Sequence, residues 1–411
     1  MIKKVLSITF LVSLIFAFAA CKPQESELDL SKMREKYGQN FHIENMTANQ
    51  DYLYGIGHIA WSNKVWQGID YRKTTQLFQA MGVKSVRNWM HSVWLLSDPT
   101  TINEQNMVIM RDIVDDLLKY DFQIIGMNHS NFRPSGYTNS HLTTAKPPRD
   151  LNENSIYMKW LNDYKDSWYT LVSAFPEIIY WEIDNEPNYD VFFQNLMGGT
   201  FTLREKAAIY TDMMFFASQG IHQANPNAMT IMGGLVTGTA ESFLELVYDN
   251  IYSENSWSQH PDDYFQIAAW HPYFNNFSKD EFIKLNQDIY NVILAREGKD
   301  KKVFITEMGW SEYHVSLENI NTYIEDMFAA AKEHLPFIES IHYFRMYDHW
   351  DSTWGSPAER QFGLFTDPSS HGPNQQNTKL AFPKTTAFTF QRIAGGVGSL
   401  ELYYNYLNKE E

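Results

Sequence analysis

Two glutamates each close a β-rich run of this chain: Glu186 stands in IIYWEIDNEPN and Glu307 in KVFITEMGWS. Two carboxyls brought to one place, one neutral and one ionised, can act as proton donor and nucleophile on a single bond. Environment separates such roles. Arg87, ending VKSVRNW, is the nearest obvious cation to hold a nucleophile ionised, while apolar and aromatic neighbours would keep the other carboxyl protonated near neutral pH. Strand alternation puts Glu182, Asp184 and Glu186 on one face, and Pro187 pushes Glu186 toward extended geometry and stops the run. Asn185 then points away, so it can face the same space as Glu186 only if the strand end is irregular, for instance bulged. That irregularity is expected. Glu182 and Asp184 lie deeper along the run and read as buried hydrogen-bond partners rather than as the acid.

The elements that must position these residues follow from periodicity. Eight extended runs are expected at 54–59, 83–89, 123–128, 178–185, 229–233, 266–271, 302–307 and 340–347. Between them lie helical patterns at 71–81, 106–119, 155–174, 203–224, 279–296 and 317–334, with a final helix at 380–392. Such alternation means parallel strands with crossover helices, and eight repeats without an obvious linker point to a single-domain (β/α)8 TIM barrel with long βα loops. A doubly wound sheet would need a phosphate-cradling glycine loop after its first strand. Gly55 and Gly57 lack the third glycine of that motif and read as tight packing at a barrel stave. In a barrel, chemistry gathers at the C-terminal strand tips, where staves four and seven face each other across the mouth. Cleavage of a glycosidic bond with retention needs carboxyls about 5–5.5 Å apart, a gap that two inward glutamates can span.

Here the sequence resembles a known group: WEIDNEPN and FITEMGWS look like the strand-four and strand-seven signatures of glycoside hydrolase clan A, and the likeness runs from residue 54 to about 393. The resemblance implies that Glu186 is the acid/base, Glu307 the nucleophile and Asn185 the ligand of the sugar 2-hydroxyl. It matches Arg87 to the strand-two arginine, Asn128 or His129 to the polar residue ending strand three, and His271 and Tyr273 to the strand-six His-x-Tyr, with Tyr273 near the nucleophile. Strand eight departs from the pattern. Where many members carry a tryptophan flooring the reactive subsite, this strand reads IHYFRMYDHW and leaves Tyr347 or Trp350 as candidates. The implied activity is a retaining β-glycoside hydrolase on oligo- or polysaccharides, more in keeping with endo action. The alternatives are an exo-acting β-glycosidase, a transglycosylase of the same clan, and an inactive carbohydrate-binding surface lipoprotein.

Other features are weaker or exclude chemistry. His58, His91, His129, His271 and His349 show no H-x-H or H-E-x-x-H spacing, which disfavours a metal-dependent hydrolase; neither metal nor cofactor is expected. Trp160 and Trp168 read as helical core. Trp61, Trp89, Trp94, Trp310, Trp350 and Trp354 fall at or beyond strand ends, where an aromatic face suits the C–H face of a sugar ring. The loops at 129–154, 188–202, 235–265 and 348–383 are long and rich in Asn, Ser, Gly and aromatics, as a substrate cleft requires.

A formal net charge of -16 argues against nucleic acid as partner. Lys3, Lys4, the apolar run 5–20 and then Cys21, the sole cysteine, form a secretory signal. Its apolar stretch is shorter than the roughly 20 residues of a spanning helix. The arrangement resembles the lipobox of bacterial lipoproteins, with 1–20 removed, Cys21 lipidated, 21–50 a polar tether and 51–411 the barrel. Lys22 in place of the inner-membrane retention Asp implies the outer membrane, with contact to the bilayer only through the lipid.

Overall fold

The computed structural model describes residues 52–59, 65–66, 69–129, 145–348, 356–366, 383–398 and 400. Cys21 and its tether, Trp61, His349, Trp350 and Trp354 lie outside the described residues.

Eight parallel strands form the barrel: β1 (Tyr54–Ile59), β2 (Ser85–Trp89), β3 (Gln123–Asn128), β4 (Tyr180–Ile183), β5 (Met229–Met232), β6 (Ile267–His271), β7 (Lys302–Met308) and β8 (Ile338–Tyr343). Each pairs with its sequence neighbour, β8 returns to β1, and Ile231 pairs with Ile267 to complete the ring. The expected (β/α)8 barrel is therefore the fold. Strand four is shorter than its sequence pattern, ending at Ile183 instead of 185, because Asp184 turns left-handed at φ 70°.

Around the barrel lie α1 (Tyr71–Ala80), α2 (Glu104–Leu118), α3 (Ile156–Ala174), α4 (Leu203–Ala224), α5 (Ala240–Ile251), α6 (Lys279–Glu297), α7 (Leu317–His334) and α8 (Thr385–Ala394). Their starts are chemically marked. Ser155, Thr202, Ser278 and Ser316 accept a backbone N–H of the first turn, and Thr202 with Glu205 completes a capping box. The helix α5 corrects the reading of 235–265 as loop. Phe243, Leu244, Val247, Tyr248 and Ile251 recur at helical spacing and bury one face on the barrel. Trp160 and Trp168 are core residues, as their spacing indicated. Among the described residues no helix is long and apolar enough to cross a membrane.

The expected tight packing at Gly55 is present: a Cβ there would lie 2.6 Å from the His342 ring. Buried His342, held near pKa 3 by burial and the nearby Arg87 charge, is neutral and bonds Ser85 Oγ at 2.8 Å. His342 thus fills the interior beside the first two strands, and the search for a site moves to the strand tips.

Candidate active site

The site is organised around one guanidinium. Arg87, on β2, is wholly buried and reaches three strand ends. Its Nη1 donates to Glu307 Oε1 at 2.6 Å, its Nη2 to Glu182 Oε1 at 3.0 Å and to Asn185 Oδ1 at 2.7 Å, and its Nε to Glu182 Oε2. Burial alone would lower its pKa, but Glu182 and Glu307 outweigh that and raise it, so the charge is permanent. Glu182 is the buried partner expected of it. It also accepts from Thr306 Oγ1 at 3.0 Å and from Gly234 N at 3.1 Å.

Glu307, near the end of β7, takes a second hydrogen bond from Tyr273 OH at 3.0 Å. Burial pushes its pKa up, yet the charges of His271 and Arg87, with hydrogen bonds from Arg87 and Tyr273, bring it below the ordinary carboxylate value. It is therefore ionised, as a nucleophile must be. Burial beside Glu307 and Glu186 pushes the Tyr273 phenol well up, so it remains a donor.

Glu186 lies just beyond β4. Its side chain is 14 % exposed, and its Oε1 meets His271 Nδ1 at 2.9 Å. The partners of His271 constrain the protons. Glu182, doubly bonded by Arg87, only accepts, so Thr306 Oγ1 donates to it and must accept from His271 Nε2, 3.0 Å away. With Nε2 carrying a hydrogen, a single further proton lies between His271 Nδ1 and Glu186, either as imidazolium with carboxylate or as imidazole with carboxylic acid. A transferable proton is thus held at the mouth. The tautomer is assigned from this hydrogen-bond network. Space for the ring depends on Gly234, where a Cβ would lie 2.0 Å from His271 Nε2.

The two carboxylates converge: one oxygen each of Glu186 and Glu307, with a His271 nitrogen, all lie within 4.8 Å of one another. Carboxyls whose nearest oxygens are this close can flank a single bond. The same three residues are the one grouping among the described residues able to ligate a metal. They fit a cation poorly, since the Arg87 charge is 2.6 Å from Glu307 and His271 is committed at both nitrogens.

The strand end that delivers Asn185 and Glu186 is irregular, as alternation required, but not through a bulge. Asp184 and Glu186 both adopt positive φ, 70° and 47°. The extended geometry expected of Glu186 before Pro187 is therefore corrected. Backbone bonds from Asp184 N to Asn128 O and from Glu186 N to Gly234 O, both 3.0 Å, hold this bend against the proline's preference. Asn185 Oδ1 is taken by Arg87, which turns its amide N–H groups into the site's available donors.

Other expected contacts are placed differently. Trp310 is buried between Phe277 and Tyr323, at 5.3 and 5.4 Å, and is core, not a platform. Tyr347 is also buried, its hydroxyl 3.2 Å from Thr74 Oγ1, and does not floor the mouth; strand alternation is lost beyond Tyr343, so its side chain could not be aimed from sequence. His129 is nearly enclosed and turns Nδ1 to Asp184 Oδ1 at 3.0 Å, while Asn128 is wholly buried. Two aromatics missed in the sequence stand beside Tyr273: half-buried Phe344 and Phe362, whose rings lie 6.3 and 5.9 Å from it and 5.5 Å from each other. Phe344 directly follows β8, and that position was its only signal. A second row runs along the rim of β2 to β4. Trp89 meets His91 at 4.9 Å, His91 stacks on His129 at 5.6 Å, His129 on Phe192 at 5.4 Å, and Phe192 tilts against exposed Tyr189 at 6.3 Å.

Solved structures share this architecture. A family 39 glycoside hydrolase from the gut symbiont Bacteroides cellulosilyticus superimposes with a TM-score of 0.56 at 16% identity, over 79% of this chain and 60% of that one. A beta-glucosidase from Thermotoga maritima matches with a TM-score of 0.59 at 12% identity, over 86% of this chain and 100% of that one. A broad specificity endoglucanase from Clostridium longisporum gives 0.56 at 14% identity, over 90% and 99%. The fold is that of these glycoside hydrolases. No family model matches the chain, and neither does any curated relative. The chain spans only 60% of the family 39 enzyme, so the likeness to it concerns the barrel. At such identities the shared fold carries no activity with it, which must be argued from the site.

Proposed function

We propose that this protein is a retaining glycoside hydrolase acting on β-linked oligo- or polysaccharides. The observation that carries the reading is the pair of carboxylates within 4.8 Å, differently partnered: Glu307 by Arg87 and Tyr273, Glu186 by His271 and its shared proton. In the first step Glu307 attacks the anomeric carbon, the bond to the leaving oxygen breaks, and Glu186 gives that oxygen its proton. In the second, Glu186 takes a proton from water, whose oxygen displaces Glu307 and regenerates the carboxylate. Asn185, fixed by Arg87, offers its amide to the 2-hydroxyl, and Phe344 with Phe362 lines the sugar opposite.

Along the row from Trp89 to Tyr189, His129 is enclosed, but Trp89, His91 and Phe192 are half-buried and Tyr189 is exposed, leaving aromatic edges and one open face beyond the reactive position. The row supports binding of several sugar units and therefore endo action on a polymer. Glu186→Gln and Glu307→Gln test the assignment. Each should lower hydrolysis of a polysaccharide panel by orders of magnitude, and the first-formed anomer in the wild-type reaction should keep the β configuration. Hydrolysis surviving both substitutions, or an inverted product, sinks the reading.

We also propose that the barrel, 51–411, is carried to the bacterial outer membrane by a lipid on Cys21. The support is the charged start, apolar run and lone cysteine of the first 21 residues. Labelled palmitate should enter the wild type and not Cys21→Ser, which should leave the membrane fraction. Equal labelling of both excludes the anchor.

A further inference from the structure

We propose that Lys146, in the loop after β3, is a positioning residue for the acid/base carboxyl, acting through Asp184 to hold the left-handed bend that carries Glu186. This rests on the reading of Glu186 as acid/base. Lys146 and Asp184 are both fully buried, with Lys146 Nζ 3.3 Å from Asp184 Oδ2. Neither touches the reacting position, and two charges withdrawn from water need a compensating use.

That use is visible in the backbone. Asp184 Oδ1 accepts from Asn185 N at 2.9 Å and faces His129 Nδ1 at 3.0 Å, so the carboxylate clamps the peptide that starts the bend. A left-handed non-glycine residue costs on the order of 1–3 kcal/mol and persists only where its surroundings over-determine it. Asp184 and Glu186 are two such residues in a span of three. Burial alone would raise the Asp184 pKa; Lys146, His129 and the Asn185 amide reverse that and keep it ionised.

Lys146 is itself anchored to the next loop. Its Nζ donates to Phe192 O at 2.7 Å and sits 4.4 Å from the centre of the Phe193 ring, and Ala145–Lys146 pairs in parallel with Gln194–Asn195. One ammonium group therefore fixes the acid/base bend and the backbone of the arm that presents Phe192 and Tyr189. Without it, Asp184 is left buried with His129 and the phenols of Tyr164 and Tyr210 nearby, its grip on Asn185 N weakens, and Pro187 draws Glu186 toward extended backbone and off His271.

The test is Lys146→Met, with Lys146→Arg as the charge-conserving control. Displacing a reacting group by about 1 Å costs on the order of 100-fold. We expect Lys146→Met to lose about 100-fold in kcat on an unactivated oligosaccharide with KM within about 3-fold of wild type. The loss in kcat/KM should be under about 10-fold on a dinitrophenyl glycoside, whose leaving group departs without a proton. Lys146→Arg should recover most of the activity. A crystal structure of Lys146→Met should show Glu186 away from His271 with the Arg87–Glu307 bond intact. Should that variant not fold, Asp184→Asn, equal in shape and lacking the charge, is examined by the same measurements. Equal losses on both substrates, or a Glu186 still bonded to His271 in the variant crystal, overturns the proposal. A wild type inactive on every glycoside sinks the functional reading instead, and the crystal structure then decides the positioning role by itself.

Discussion

Replacing Arg87 with Met tests the electrostatic core of the site most directly. The substitution removes four hydrogen bonds and leaves Glu182 and Glu307 buried without their counter-charge. Breaking a buried ion pair from one side costs about 3–5 kcal/mol. Unfolding entropy of about 2.1 cal/mol/K per residue makes 1 kcal/mol worth roughly 1.3 °C in a barrel of this size, so Tm should fall by about 4–7 °C. Activity responds with a defined sign. Burial pushes the Glu307 pKa up, but the charges of His271 and Arg87, with hydrogen bonds from Arg87 and Tyr273, hold it below its ordinary 4.5. A depressed carboxylate contributes stability present above its unfolded pKa and lost as pH falls through the folded one.

Without Arg87 part of the depression goes, leaving His271 and Tyr273 alone to oppose burial. The acid limb of kcat/KM, set by Glu307, should therefore shift to higher pH than in the wild type. At the optimum, loss of the preorganised donor to Glu307 and of the anchor of Asn185 should lower kcat by roughly 10²–10³. Thermal unfolding and a pH–rate profile on one aryl glycoside measure all three. Adding Glu182→Gln should restore part of the Tm, because one buried carboxylate then lacks a partner instead of two. An Arg87→Met enzyme with an unmoved acid limb and a Tm within 1 °C of wild type would refute the reasoning.

Further expectations follow from single contacts. Gly234→Ala forces the His271 ring from its place, since the new Cβ would lie 2.0 Å from Nε2, and kcat should fall about 10–100-fold while the nucleophile, trapped with a fluorinated glycoside, still labels. Phe344→Ala should raise KM on oligosaccharides several-fold through lost stacking, whereas Trp310→Ala should lower Tm by several degrees with KM unchanged; the reverse outcome would restore Trp310 as a platform. Asp348, pushed up to about 6 by burial despite Lys384, is a carboxyl with a raised folded pKa. Its contribution is full below the unfolded value of 3.8 and lost as pH rises through about 6, so Asp348→Asn should gain Tm relative to wild type between pH 4 and 7. A flat difference across that range excludes the assignment.

Much of the site was legible because strand tips in a barrel converge whatever the loops do. The periodicity of eight runs and seven helices located the mouth. Glu307 and His271 stand at strand ends and Arg87 within β2, so the fold alone brings them to the mouth, whereas Glu186 also needs the left-handed bend beyond β4. Helix α5 was equally legible in the spacing of Phe243, Leu244, Val247, Tyr248 and Ile251 but was hidden among the polar residues of a long connection. Beyond the tips, sequence loses its hold. Tyr347 and Trp310 look like platforms from position alone and are core, because alternation does not continue past a strand's last paired residue.

Residue type and spacing by themselves determined which side chains could do acid and nucleophile chemistry, and that parallel staves would bring them to one end. Only tertiary structure decided how those side chains are charged and aimed. The pKa of Glu307 depends on a guanidinium 220 positions away in sequence, the partner of Glu186 is set by a chain of bonds through His271, Thr306 and Glu182, and the bend before Pro187 depends on Lys146. Local preferences favour extended backbone at Glu186 and exposure for a lysine. The closed barrel and its rim loops overrule both, because burial makes unpaired charge so costly that the surrounding contacts, not the local chain, select the conformation.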